Sequence, residues 1–193
     1  MSGAFVAIVG PSGSGKDSII DHARLAIEGR EIVFPQRQIT RPVGTGEDHK
    51  PVSESEFEVA KDRGEFALTW RAHGLAYGIP AHVFDAVGAG NLVVANLSRG
   101  VLKHLPGLFA NVHVVRITVS EDVRLARIIA RGREDEIAAA SRVARLNPAP
   151  DHPADLEIVN DGTLEEASGK LVEFLVNVQD TAGRTTELHR QRS

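Results

Sequence analysis

Apolar residues in this chain fall into short unbroken runs separated by longer stretches of helical periodicity. The runs Ala4-Phe5-Val6-Ala7-Ile8-Val9, Leu92-Val93-Val94-Ala95, Val112-His113-Val114-Val115-Arg116-Ile117-Thr118-Val119 and Leu156-Glu157-Ile158-Val159 are too short for helices. They are rich in β-branched residues, as strands buried on both faces require. A further short strand is expected at residues 31–35 and another at 66–72. Helices are expected at 18–27, 54–62, 81–89, 121–131, 134–146 and 163–178, with a broken one over 99–109. Two begin with capping boxes, Ser53-Glu54-Ser55-Glu56 and Thr163-Leu164-Glu165-Glu166, in which hydroxyl and carboxylate satisfy each other's backbone donors. Strands alternating with helices predict an α/β fold, a parallel sheet sandwiched by helices. Residues 37–89 interrupt the alternation and predict an inserted subdomain. Residues 36–42 are assigned no element, and a glycine- and charge-rich loop is expected to follow them through Lys50. Residues 179–193 are polar without apolar periodicity and predict a frayed tail.

The first strand runs into Gly10-Pro11-Ser12-Gly13-Ser14-Gly15-Lys16-Asp17-Ser18 and then into a helix. Strand, glycine-rich loop, lysine and helix together fit most of the phosphate-loop pattern of P-loop NTPases. Such a loop turns backbone N–H groups toward a polyphosphate, and the helix start adds its positive dipole end. Lys16 supplies a mobile point charge. The residue after the lysine is ordinarily Ser or Thr, whose hydroxyl ligates magnesium. Here it is Asp17, with Ser18 next, and either can offer a hard oxygen to Mg2+. The loop therefore predicts a nucleoside triphosphate ligand.

The 193 residues fit a single domain over 1–178 followed by the tail. A net charge of −4 gives no bulk attraction to nucleic acid or to an acidic membrane surface, so anion binding must come from local arginines. There is no cysteine, hence no disulfide and no thiol nucleophile. No apolar run approaches a membrane span, and no leader is apparent after Met1, so a cytoplasmic location is expected. The eight histidines lack zinc-ligand spacing. Trp70 reads most simply as a core residue. Arg41, held extended by Pro42, projects a guanidinium suited to phosphate. Arg124, Arg127, Arg131 and Arg133, then Arg142 and Arg145, form the densest cationic run. Gly132 between two helical stretches suggests an arginine-bearing lid over about 127–147; a salt-bridged helix surface is the plainer account.

With these residues assembled, the chain resembles the guanylate-kinase-like branch of nucleoside monophosphate kinases. The matching pieces are residues 10–16, Thr40-Arg41-Pro42, Gly64-Glu65-Phe66, Tyr77-Gly78, residues 127–132 and Asn160-Asp161, in order along the chain. Within that branch it is more similar to the ribose 1,5-bisphosphate phosphokinase family of phosphonate degradation. That likeness is carried by Gly15-Lys16-Asp17-Ser18, Ile39-Thr40-Arg41, Glu47-Asp48-His49, residues 70–78, Asn96 with Ser98-Arg99, and Arg131-Gly132-Arg133-Glu134. The two acids that read guanine in guanylate kinases fall at about Leu68 and in Ala95-Asn96-Leu97, where no acid stands.

The resemblance implies an ATP-dependent kinase with Mg2+, making 5-phosphoribosyl diphosphate from ribose 1,5-bisphosphate. It implies residues 10–18 and Asn160 for ATP, Asp17 or Ser18 for the metal, and Lys16, Arg131, Arg133 and Arg142 for the transferring phosphoryl group. Arg41, His49, Tyr77 and Asn96 would serve a small phosphosugar acceptor, with no nucleic-acid or membrane partner; a homodimer is left open. A guanylate kinase, a gluconate- or shikimate-type kinase and a non-catalytic guanylate-kinase-like binding module are the alternatives.

Overall fold

The computed structural model describes residues 3–43, 48–130 and 152–190. Five parallel strands form the main sheet: β1 (Ala4–Val9), β2 (Ile32–Val33), β7 (Leu92–Asn96), β8 (Val112–Thr118) and β9 (Leu156–Val159), in the order β2-β7-β1-β8-β9. The central strand β1 is buried along its whole length. Strand alternation divides its side chains between two cores. Ala4, Val6 and Ile8 meet Ile19 and Ala23 of α1 (Lys16–Ala26) and Leu171 and Leu175 of α5 (Leu164–Arg190). Phe5, Ala7 and Val9 face the opposite layer. That layer comprises Val83 and Val87 of α3 (His82–Gly88), Val101, Leu102 and Leu105 of a 3₁₀ segment (Arg99–Gly107), and Phe109, whose ring stacks on Phe5 at 4.4 Å. Each fully buried large side chain contributes roughly 1.5–3 kcal/mol. This explains why the continuous apolar runs were readable as two-sided strands.

Between β2 and β7 the chain builds a second, four-stranded sheet in the order β4-β3-β6-β5. It contains β3 (Arg37–Ile39), β4 (His49–Pro51), β5 (Phe66–Ala72) and β6 (Leu75–Pro80). The helix α2 (Glu54–Asp62) opens on the expected capping box, Ser53 and Glu56 bonding reciprocally. The loop expected through Lys50 is thus corrected at its end, where His49–Pro51 is a strand paired parallel to Arg37–Ile39, a segment assigned no element from the sequence. Three residues are too few to carry a detectable alternation. The helix α3 packs Val83 and Val87 into the main core, where Ile79 of β6 joins them.

The remaining helix, α4, spans Glu121–Ala130. The helical run expected over 134–146 lies outside the described residues. The last helix departs from the expected frayed tail: α5 starts at its capping box and continues to Arg190 rather than ending near 178. No proline interrupts it, and Arg30, at the far end of the α1 connection, bonds Gln179 at 3.1 Å and approaches Asp180 at 3.7 Å. Periodicity of apolar residues measures burial, and a helix held by polar contacts at one side gives no such signal. Among the described residues no helix is long and apolar enough to cross a membrane.

Candidate active site

The glycine-rich loop leaves the carboxyl end of β1 and closes on α1, the position at which parallel α/β sheets bind ligands. Its close approaches explain its glycines. A Cβ at Gly10 would lie 2.2 Å from the Ile117 carbonyl oxygen. Gly15 has φ +86°, in the left-handed region, and a Cβ there would lie 2.4 Å from Asn160 Nδ2. That amide donates to the Ser14 carbonyl at 2.8 Å. Asn160, buried at the end of β9, therefore braces the loop from behind. Lys16 begins α1, and its Nζ donates to the carbonyls of Gly10 and Pro11, both at 2.9 Å. The ammonium thus rests on the loop it would leave to meet a phosphate.

Among the described residues, two buried polar atoms beside the loop have no hydrogen-bond partner: Ser14 Oγ and Arg127 Nη1. The guanidinium nitrogen comes within 3.7 Å of where a Cβ on Gly15 would stand. Burying such a donor without a partner costs about 1–3 kcal/mol. Two orphaned donors beside a phosphate-type loop fit a polyanion that supplies the missing acceptors. Arg127 stood in the cationic run of the sequence but not among the residues expected in the site. Spacing alone could not say which arginine of that run faces the loop. Arg131, Arg133 and Arg142 lie outside the described residues.

Asp17 follows Lys16 on α1. Its Oδ1 accepts from Arg37 Nη2 at 2.8 Å and from Asn96 Nδ2 at 2.7 Å. Loop helix, inserted sheet and the end of β7 meet at this one oxygen. Oδ2 carries neither bond, and Ser18 beside it is exposed. A carboxylate and a hydroxyl next to the loop fit a hard cation. Among the described residues no group of three or more His, Cys, Asp and Glu could hold a metal. Arg37 is the other functional candidate that sequence reading missed. It falls in a stretch assigned no element from the sequence and in no motif.

Of the residues expected around an acceptor, Arg41 follows β3, and its carbonyl accepts from His49 Nε2 at 3.3 Å. His49 is buried on β4, in register with Arg37. Tyr77 lies on β6 opposite Ile39 and Trp70, and its ring stacks on Trp70 at 5.2 Å, 5° from parallel. Trp70 is accordingly only partly buried and backs the Tyr77 ring, besides touching the core. Asn96 reaches the loop helix through Asp17 as described. A second clamp joins the same elements. Asp48 accepts from Gln36 Nε2 at 2.7 Å and from Arg24 of α1 at 2.9 Å. These donors, Gln36 first, hold its carboxyl below the usual range. Asp21, nearby on α1, is pushed up chiefly by burial.

No family model matches the chain. Among curated proteins, ribose 1,5-bisphosphate phosphokinase PhnN of Pseudofrankia inefficax is 53% identical over 183 residues, 94% of this chain and 93% of the relative. The protein of the same name from Methylobacterium radiotolerans is 41% identical over 176 residues, 91% of this chain and 98% of its own length. Among solved structures, guanylate kinase from Anaplasma phagocytophilum superposes with a TM-score of 0.67 at 21% identity, covering 92% of this chain and 87% of that one. It shares the fold, a parallel sheet flanked by helices. On the strength of the two full-length relatives, the chain belongs to the ribose 1,5-bisphosphate phosphokinase family.

Proposed function

We propose that the protein transfers the γ-phosphoryl group of ATP to the 1-phosphate of ribose 1,5-bisphosphate, giving 5-phosphoribosyl 1-diphosphate and ADP. The observation that carries this is the pair of orphaned donors, Ser14 Oγ and Arg127 Nη1, at the glycine-rich loop, in a member of that family. An oxygen of the 1-phosphate forms the new bond to the γ-phosphorus as the bond to the β-bridging oxygen breaks. That oxygen is already anionic, so no general base is required. Catalysis then consists of positioning and of neutralising charge on the in-line phosphoryl group.

In this reading Lys16 leaves the Gly10 and Pro11 carbonyls for the β- and γ-phosphates, and the loop N–H groups hold the rest. Arg127 approaches from α4, with Arg131, Arg133 and Arg142 as the further cations proposed for the transferring group. Asn160 holds the loop in shape, and its neighbourhood receives the adenosine end. Arg41, His49 and Tyr77 hold the reacting acceptor phosphate, with Trp70 fixing the Tyr77 ring. Asp17 and Ser18 are the residues that would hold Mg2+, which neutralises donor phosphate charge when bound. Replacing Lys16 or Arg41 by alanine should lower kcat/KM by at least about a hundredfold while circular dichroism stays unchanged. Near-normal turnover in either variant would sink the assignment.

A further inference from the structure

The acceptor just proposed has two phosphates, and only one reacts. We propose that Arg37 anchors the other, the 5-phosphate, and is thereby a specificity-determining residue for a bisphosphorylated sugar. This rests on the reading of the acceptor above and deepens it.

Arg37 shares the face of β3 with the buried Ile39, and its side chain is only 14% exposed. It lines an open cleft between α1, the inserted sheet and β7, together with Phe34, Pro35, Asp17 and Asn96 among others. Two other carboxylates border this cleft, Asp21 and Asp48. Arg24 serves both, at 3.6 and 2.9 Å, and is itself 44% exposed. Arg37 is thus the inward-facing cation, and its bond is to Asp17 alone among the ion pairs described.

That bond can be exchanged. Asn96 donates to the same Asp17 oxygen at 2.7 Å, so the carboxylate keeps a donor when Arg37 turns away. A guanidinium fork fits a phosphate through two parallel bonds, and the phosphate carries more charge than the carboxylate it replaces. The cleft offers no acidic side chain beyond those already engaged by arginine, and Asn96 stands at the end of β7. A cation facing a polar cleft suits a phosphate better than the donor-rich edge of a purine. Arg37 begins β3 and Arg41 lies just past its end, four residues on, so both ends of a short bisphosphate can meet the inserted sheet.

The test compares ribose 1,5-bisphosphate with ribose 1-phosphate, which has the same reacting group and lacks the 5-phosphate. For the unaltered protein kcat/KM should favour the bisphosphate, and in Arg37→Met this preference should fall by about tenfold or more. Arg37→Lys, which keeps the charge and loses the fork, should lie between. Calorimetric titration with ribose 5-phosphate, which needs no turnover, should show binding weakened at least about tenfold by Arg37→Met. An unchanged preference between the two acceptors, or unchanged ribose 5-phosphate affinity, overturns the anchor while leaving the kinase reading intact. No transfer to either acceptor by the unaltered protein overturns that reading and the anchor with it.

Discussion

Single atoms around the glycine loop separate stability from activity. Arg127 places a guanidinium nitrogen in a buried position without a partner, an arrangement that costs folding energy and suits an absent anion. Arg127→Met should therefore leave urea-unfolding stability equal or higher while phosphoryl transfer falls at least about tenfold. A loss of stability alongside activity would make Arg127 a structural residue. Gly15 makes the opposite case. A side chain there meets both a left-handed backbone and the Asn160 amide at 2.4 Å. Gly15→Ala should cost at least about 1–2 kcal/mol in unfolding free energy and weaken ATP binding together. The glycines and Lys16 were legible in the sequence because a phosphate cradle demands those residue types at that spacing. The Asp17–Arg37–Asn96 junction was not, because its members are 20 and 79 residues apart and no local pattern joins them.

Elements were legible in proportion to how fully they are buried. β1, β7, β8 and β9 stood out as apolar runs, and both capping boxes marked true helix starts. Short β3 and β4 were hidden, as was the far end of α5, whose contacts to Arg30 are polar. The Thr163 cap opens α5 immediately after Asn160 and the turn that carries it. Thr163→Ala should cost about 1 kcal/mol by chemical denaturation, with little change in kcat. Asp48 ties α1 to β3 and β4 through Arg24 and Gln36. Because its folded-state carboxyl is held below the ordinary value, its contribution is present above that value and disappears as pH falls through the folded one. The Asp48–Arg24 pair is over 40% exposed on both sides, so solvent screening keeps the effect small, within about 1 kcal/mol. Asp48→Asn should lower the melting temperature slightly near neutral pH, and the difference should shrink as pH falls below the ordinary carboxylate range. A difference that persists in acid would mean that the clamp acts through shape rather than charge.

At the scale of the whole molecule, two sheets divide the work. The parallel sheet presents a triphosphate loop at the end of its central strand. The inserted sheet presents Arg37, Arg41, His49 and Tyr77 from adjacent strands, and is tied to the loop helix by Asp17 and Asp48. Fold likeness to a guanylate kinase at 21% identity shows the frame alone. In the proposed reading, what distinguishes the acceptor is the polar cleft into which Arg37 faces. The most direct test of this account is competition between ribose 1,5-bisphosphate and GMP as acceptors for ATP, with products followed by phosphorus NMR. The account predicts a new diphosphate on ribose C1, with kcat/KM for the bisphosphate at least about a hundredfold above that for GMP, as expected when the acceptors for base donors are missing. Preferential formation of GDP would contradict it.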